Sequence, residues 1–247
     1  MKISLTRNEM ILLLLLLVVS GGLLWENNSL RAELRSVREL EHALGNPDFT
    51  AEECRERGVE LQSKERTTAL LYLLFAAHKG DAWGQNLMGR FMDEEVFAAD
   101  AAQKERWYLA AAEQGVPELQ HRLADWYRGR GAYCEPEMAT KMFRWEREAA
   151  LQGHPAAMRW LAYSYLKGIG CEQDYAAAEE WYKKVLARRD EEAVTWHDIS
   201  DCYVGLAEVY VRTGRREQGY KMLRAQSAQG NQYATHLHNT LVQEEGK

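Results

Sequence analysis

WYLAAAEQGVPELQHRLADWY (residues 107–127) and WEREAALQGHPAAMRWLAYSY (residues 145–165) superimpose without a gap. Trp107 falls on Trp145, Ala111-Ala112 on Ala149-Ala150, Gly115 on Gly153, Leu123 on Leu161 and Tyr127 on Tyr165, a period of 38 residues. Each line reads as the end of one helix, a tight corner at Gln-Gly and the start of the next helix. Self-similarity at this period marks stacked helical hairpins, because a single hairpin cannot bury its own apolar face. The fold expected from these two lines is an all-α solenoid.

The frame extends in both directions. Upstream, YLLFAAHKGDAWGQNLMGRFM (residues 72–92) puts Tyr72 at the Trp position and supplies Ala76-Ala77, Gly80, Met88 and Met92. Downstream, Trp181 takes the Trp position, but Asp190 replaces the corner glycine before Leu206 and Tyr210. The corner glycines Gly80, Gly115, Gly153 and Gly230 are 35, 38 and 77 residues apart, the last gap being about two periods. A chain leaving a helix through a left-handed residue does so at no steric cost when that residue is glycine. The paired alanines let neighbouring helices approach, and Leu and Tyr (or Met) four apart share a face that docks on the next tryptophan. Trp107, Trp145 and Trp181 recur in register and are expected in the core. Trp83, Trp126, Trp160 and Trp196 are off register and expected to be partly exposed.

Helix pairs are expected at 51–61 and 65–79, 82–92 and 99–114, 117–129 and 137–152, 156–167 and 174–188, and 192–211 and 215–229, with a closing helix at 231–244. Thr50 and Glu53 have the spacing of a capping box at the first of these. Pro117 and Pro155 stand two residues after a corner glycine, where a first-turn proline is tolerated. Sustained alternation is absent, so no strands are expected.

The 247 residues carry a formal charge of −6, and residues 1–45 hold five basic and five acidic side chains, so the repeats hold the whole excess. An acidic solenoid lacks the basic patch that nucleic acid requires. Residues 10–25, MILLLLLLVVSGGLLW, carry no charge. As a helix they measure about 24 Å, against a hydrocarbon core of ~30 Å. Two readings are open: a retained transmembrane signal anchor, or a signal peptide cleaved at Ser20-Gly21-Gly22 and leaving a periplasmic or secreted protein. Retention is preferred, because Trp25 sits where an interfacial anchor would and Leu30, Leu34, Val37 and Leu44 continue as a helical stripe. The organisation expected is then a cytoplasmic amino terminus (1–9), a single-pass span (10–25), a helical spacer (26–46) ended by Gly45-Asn46-Pro47, and a repeat domain (47–247). Lys2 and Arg7 before the span place the repeats outside, although Arg31, Arg35 and Arg38 pull the other way.

The unit AMRWLAYSYLKGIGCEQDYAAAEEWYKKVL (residues 157–186) resembles the Sel-one-like repeat, a relative of the tetratricopeptide repeat. It has the Leu-x-x-x-Tyr pair, the Gly168-Ile169-Gly170 loop, Asp174, the Ala177 region and Trp181-Tyr182-Lys183-Lys184. The resemblance covers about residues 65–230. In it Val96-Phe97 replaces one glycine loop, RGRGAYCEPEM elongates another, and GLAEVYVRTGRREQGYKML is closer to a tetratricopeptide unit. The resemblance implies a curved, right-handed α-solenoid acting as a non-catalytic adaptor or scaffold, often in bacterial envelope or signalling complexes.

Candidate chemistry is thin. Ser164-Tyr165-Leu166-Lys167 fits the S-x-x-K of penicillin-interacting hydrolases, the alternative functional class, but the S-D-N and K-T-G elements that complete such a site are absent. His236 and His238, and His197 with Asp198 and Asp201, lack a matching ligand set at known spacing. No catalytic residues, cofactor, metal or small-molecule substrate are therefore expected. Cys54, Cys134, Cys171 and Cys202 leave one bridge open, Cys134 to Cys171, if the loops bend together. With the Leu position at zero on the helical wheel, the residue two before the Tyr or Met position points away from the core. Those residues are Arg90, Asp125, Tyr163 and Glu208, with Asn86, His121 and Arg159 four earlier on the same face. They are the expected docking surface for a protein or peptide partner.

Overall fold

A computed structural model describes residues 50–61, 66–93 and 101–245. Eleven helices and no strand occur among the described residues. They are α1 (Ala51–Leu61), α2 (Arg66–His78), α3 (Ala82–Asp93), α4 (Ala101–Ala112), α5 (Pro117–Gly129), α6 (Pro136–Leu151), α7 (Pro155–Lys167), α8 (Tyr175–Ala187), α9 (Trp196–Arg212), α10 (Arg216–Ala228) and α11 (Gln232–Glu245). The expected span, the spacer and the Val96-Phe97 departure lie outside the described residues. Among the described residues no helix is long and apolar enough to cross a membrane. The chain forms two compact units, with the boundary inside α5 between Leu119 and Gln120.

The first unit is built on local signals. Thr50 and Glu53 close the capping box: the Glu53 amide donates to Thr50 Oγ1 at 3.1 Å and the Thr50 amide to Glu53 Oε2 at 2.8 Å. Gly58 of α1 lies so close to α2 that a Cβ there would meet Leu73 at 2.7 Å. The chain turns from α2 to α3 at Gly80, φ 92°, and Asp81 caps α3 by accepting from the Gly84 amide at 2.6 Å. Leu73, Leu74, Ala77, Met88 and Trp107 form the core that these hairpins enclose.

In the second unit each helix from α6 onward packs on the next, and α9 also packs on both α7 and α11. Contact between alternate helices is what stacking of hairpins requires, so the arrangement is that of an α-solenoid. One core joins α6 to α9 around Leu161, Tyr182, Val185 and Cys202, and a second joins α9 to α11 around Ala207, Leu223 and Leu241. Trp145 is 7% exposed, as its register requires. Trp181 departs from its expected place: it is only partly buried, and its neighbour Tyr182 fills the core at 2% exposure. Lys184 Nζ lies 4.1 Å from the Trp181 ring centroid, a cation–π contact at the core's edge. α9 starts at Trp196, later than position 192. Thr195 and Asp198 form a reciprocal capping box there, a signal hidden by aspartate standing where glutamate or glutamine is usual. All four cysteines are free.

Glu179 ties α8 to the start of α10. Its carboxylate accepts from Arg215 at 3.0 and 2.5 Å and pairs with Lys183 at 2.6 Å. The Arg215 hydrogen bonds, with Lys183 beside them, pull its pKa from 4.5 to about 2. Because the folded value lies below the unfolded one, the stabilisation is complete above about pH 4.5 and fades as pH falls to about 2. Glu179→Gln should therefore lower the thermal midpoint at pH 7, with the gap to wild type shrinking as pH falls from about 4.5 to about 2. A gap that does not shrink over that range would show that the variant acts through something other than this carboxylate's charge.

Candidate interaction cavity in the second unit

Arg159, Tyr163 and Glu208, three of the residues singled out by the repeat register, line one cavity of about 240 Å³. α7 supplies Arg159, Trp160, Tyr163 and Leu166, and α9 supplies Asp201, Gly205 and Glu208. Tyr182 enters from α8, Tyr133 from the loop between α5 and α6, and Tyr233 from α11. Tyr133 and Tyr233 are 52% and 50% exposed, and so form the cavity's rim. Tyr133 belongs to the elongated loop, which turns at Gly131 with φ 99° and is closed by amides of Cys134 and Glu135 donating to the Gly131 carbonyl. The two irregular parts of the unit, an enlarged loop and the closing helix, thus bring in the exposed rings.

The walls are held by ion pairs. Arg159 Nε donates to Asp198 Oδ1 at 2.8 Å and its Nη1 to Asp201 Oδ2 at 2.9 Å. Burial pushes the Asp198 carboxyl up, but the Thr195 hydroxyl and the Arg159 guanidinium together hold it below its ordinary value. Lys167 Nζ donates to Glu208 Oε1 at 2.6 Å, and Arg212 Nε stands 3.9 Å from the same oxygen. Gly205 is required beneath Tyr182, since a Cβ would meet its ring at 2.2 Å. Burial, reinforced by Tyr233, Tyr133 and Glu208, pushes the Tyr163 phenol up to about 12. Burial also raises Tyr133 and Tyr233, so the cavity presents neutral phenols at physiological pH. Trp160 is already stacked by the chain's own guanidinium groups, Arg128 at 3.6 Å and Arg159 at 4.7 Å from its centroid.

A second polar cluster adjoins this wall. His121 Nδ1 lies 2.9 Å from Glu146 Oε2 and its Nε2 3.5 Å from Asp125 Oδ2. Arg128 hydrogen-bonds to both Asp125 and Glu146. His121, Asp125 and Glu146 converge as metal ligands would. The Arg128 guanidinium, however, already holds both carboxylates, so the cluster is a buried ion-pair network in which a metal would have to displace an arginine. Sequence reasoning missed Glu146. The available signal was a carboxylate beside the core tryptophan Trp145.

No protein-family model matches the chain. Among solved structures, a protective antigen present in uropathogenic Escherichia coli strains, displaying an SLR fold, aligns with TM-score 0.59 and 25% identity. The alignment covers 79% of this chain and 42% of that one. A Sel1 repeat protein from Oxalobacter formigenes aligns with TM-score 0.55 and 24% identity, covering 73% of this chain and 72% of that one. This chain has the Sel1-like repeat fold. Two curated relatives are similar in sequence: chitin synthase regulator SKT5 of Saccharomyces cerevisiae, 27% identical over 100 residues, and chitin synthase regulatory factor 3 of Schizosaccharomyces pombe, 24% identical over 166 residues. The matches take in 40% and 65% of this chain but only 14% and 17% of those regulators.

Within the Sel1-like fold, the register residues are not one solvated face. Arg90 is exposed and Asp125 is 47% exposed, but Asn86, His121 and Glu208 are 1%, 8% and 3% exposed. Those three are covered rather than open to solvent. In the second unit α7 and α9 lie side by side, so a residue facing away from its own hairpin's core meets the next hairpin. Asn86 is in the first unit, where neither its Oδ1 nor its Nδ2 has a hydrogen-bond partner. Ser164 is fully buried with Oγ unpartnered, and Lys167 is spent on Glu208, so the lysine is not placed as a base for the serine. His197 meets the Asp201 carboxylate at 3.5 Å, and His238 packs edge-on to Tyr220.

Proposed function

We propose that the chain is a membrane-tethered, non-catalytic repeat protein that docks a protein or peptide partner, with the aromatic cavity of the second unit as its docking site. The observation that carries this is the cavity itself. Most of its walls come from the first helices of successive hairpins, and its rim is two half-exposed tyrosines. Tyrosine of this kind supplies large, rigid contact area at interfaces. The two curated relatives carry names of regulators, which fits a protein that works through another protein. The uncharged residues 10–25 are the tether in this reading, and residues 26–46 are the spacer that holds the repeats clear of the membrane on its outer, periplasmic side.

Affinity purification of the full-length chain from detergent-solubilised membranes tests this, with partners identified by mass spectrometry. Wild type should sediment with membranes and retain a defined set of proteins. The double variant Tyr163→Ser, Tyr233→Ser should sediment equally and lose that set. A chain lacking residues 1–45 should stay in the soluble fraction. Full-length protein found soluble and beginning after Gly22 would replace the tether with a signal peptide, and partners kept by the double variant would remove the cavity from the interface.

A further inference from the structure

We propose that the cavity takes a cationic side chain, an arginine or lysine of the protein partner. This rests on the docking reading above and names the chemistry of the group that enters.

The charges decide the class. An anion entering the cavity would find no cation available, because Arg159 is bound by both Asp198 and Asp201 and Lys167 by Glu208. A cation finds the reverse. Of the charged residues that line the cavity, the two carboxylates of Asp201 and Glu208 outnumber the single Arg159 guanidinium. The pairs are also one-sided. Arg159 and His197 both meet Asp201 at Oδ2, and Lys167 and Arg212 both meet Glu208 at Oε1. Asp201 Oδ1 and Glu208 Oε2 stand outside those pairs. Seven residues apart on α9, the two side chains lie two turns from one another on one face of the helix and line the same cavity.

The remaining walls suit the same guest. Tyr133, Tyr163 and Tyr233 offer neutral ring faces, whose quadrupole attracts a cation while the rings pack on its aliphatic stem. A volume of about 240 Å³ falls below the ~300–1,000 Å³ of small-molecule pockets and matches a single inserted side chain. The neighbourhood is already built on this chemistry, since Trp160 carries Arg128 and Arg159 over its ring. The charge of the whole chain, −6, adds attraction for a basic partner.

The test uses the full-length chain in detergent and fluorescein-labelled, end-capped peptides Gly-Ala-X-Ala-Gly, with X arginine, lysine, citrulline or glutamate, read by fluorescence anisotropy. Citrulline keeps the shape of arginine without its charge. Arginine and lysine peptides should bind about tenfold or more tightly than the citrulline and glutamate peptides. Tyr233→Ser and Asp201→Asn should each reduce that preference by roughly fivefold or more. Tyr233→Ser should leave the thermal midpoint unchanged, since its ring stands half-exposed at the cavity mouth. Asp201→Asn gives up an ion pair with Arg159 and is read on chains that circular dichroism shows to be folded. Equal binding of arginine and citrulline peptides overturns the proposal. So does a cation preference untouched by both variants, which would place the attraction elsewhere on the acidic surface. If the peptides show no cation preference while the Tyr163→Ser, Tyr233→Ser chain still loses its co-purified partners, docking at the cavity stands and its cationic guest does not.

Discussion

Gly170→Ala should destabilise the second unit by roughly 3 kcal/mol, from the left-handed backbone and the clash acting together. Gly170 ends the Gly-Ile-Gly loop between α7 and α8 with φ 72°, a conformation that a side chain resists. A Cβ there would also lie 2.2 Å from the Ala139 carbonyl oxygen and 2.9 Å from the Phe143 Cβ, both on α6. The first of these contacts is backbone, so it cannot be relieved by a rotamer change; α6 itself must move. Gly230→Ala is the matched control. Its φ of 89° imposes the same backbone penalty, but a Cβ there meets nothing within 4 Å. It should cost only about 1 kcal/mol. Urea unfolding of full-length wild type and both variants, followed by circular dichroism, separates the two contributions. Equal losses for the two glycines would mean that the loop's approach to α6 contributes nothing.

Glu146→Leu should cost about 3–5 kcal/mol, the range for breaking a buried ion pair on one side. Glu146 is fully buried, and its carboxylate takes His121 Nδ1 and Arg128. Burial pushes the Arg128 guanidinium below its ordinary pKa, and Glu146 is the charge that most counters this. Removing Glu146 leaves that cation in a poorly solvated site with the half-exposed Asp125 as its remaining carboxylate partner among the described residues. The double variant Glu146→Leu, Arg128→Met should recover most of the loss, because the uncompensated charge is gone and both replacements are apolar. A double-mutant cycle in urea reads the coupling directly. If the second substitution adds its own cost and recovers nothing, the loss arises from packing around Trp160 rather than from charge.

The 38-residue register by itself determined the helical class, the stacked hairpins and the corners at Gly80, Gly115, Gly153 and Gly230, all of which have positive φ. These features are local. A left-handed corner selects glycine, an N-terminal cap selects Thr50 with Glu53, and a 3.6-residue period places Leu123, Tyr127 and Leu161 in the core whatever their neighbours are. The same register brought Arg159, Tyr163 and Glu208 forward, and they do line one cavity. It could not say what covers the polar face, because a helical wheel describes one helix and has no term for the next hairpin. Arg159 meets Asp198 and Asp201, 39 and 42 residues further along, and only stacking of α9 on α7 makes them neighbours. Trp181 is only partly buried while its neighbour Tyr182 fills the core, its ring seated against Gly205 on α9, a contact between helices that a single helical wheel does not contain. Tyr133 and Tyr233, at opposite ends of the second unit's sequence, became one rim because the solenoid folds the enlarged loop and the closing helix to the mouth of a single cavity.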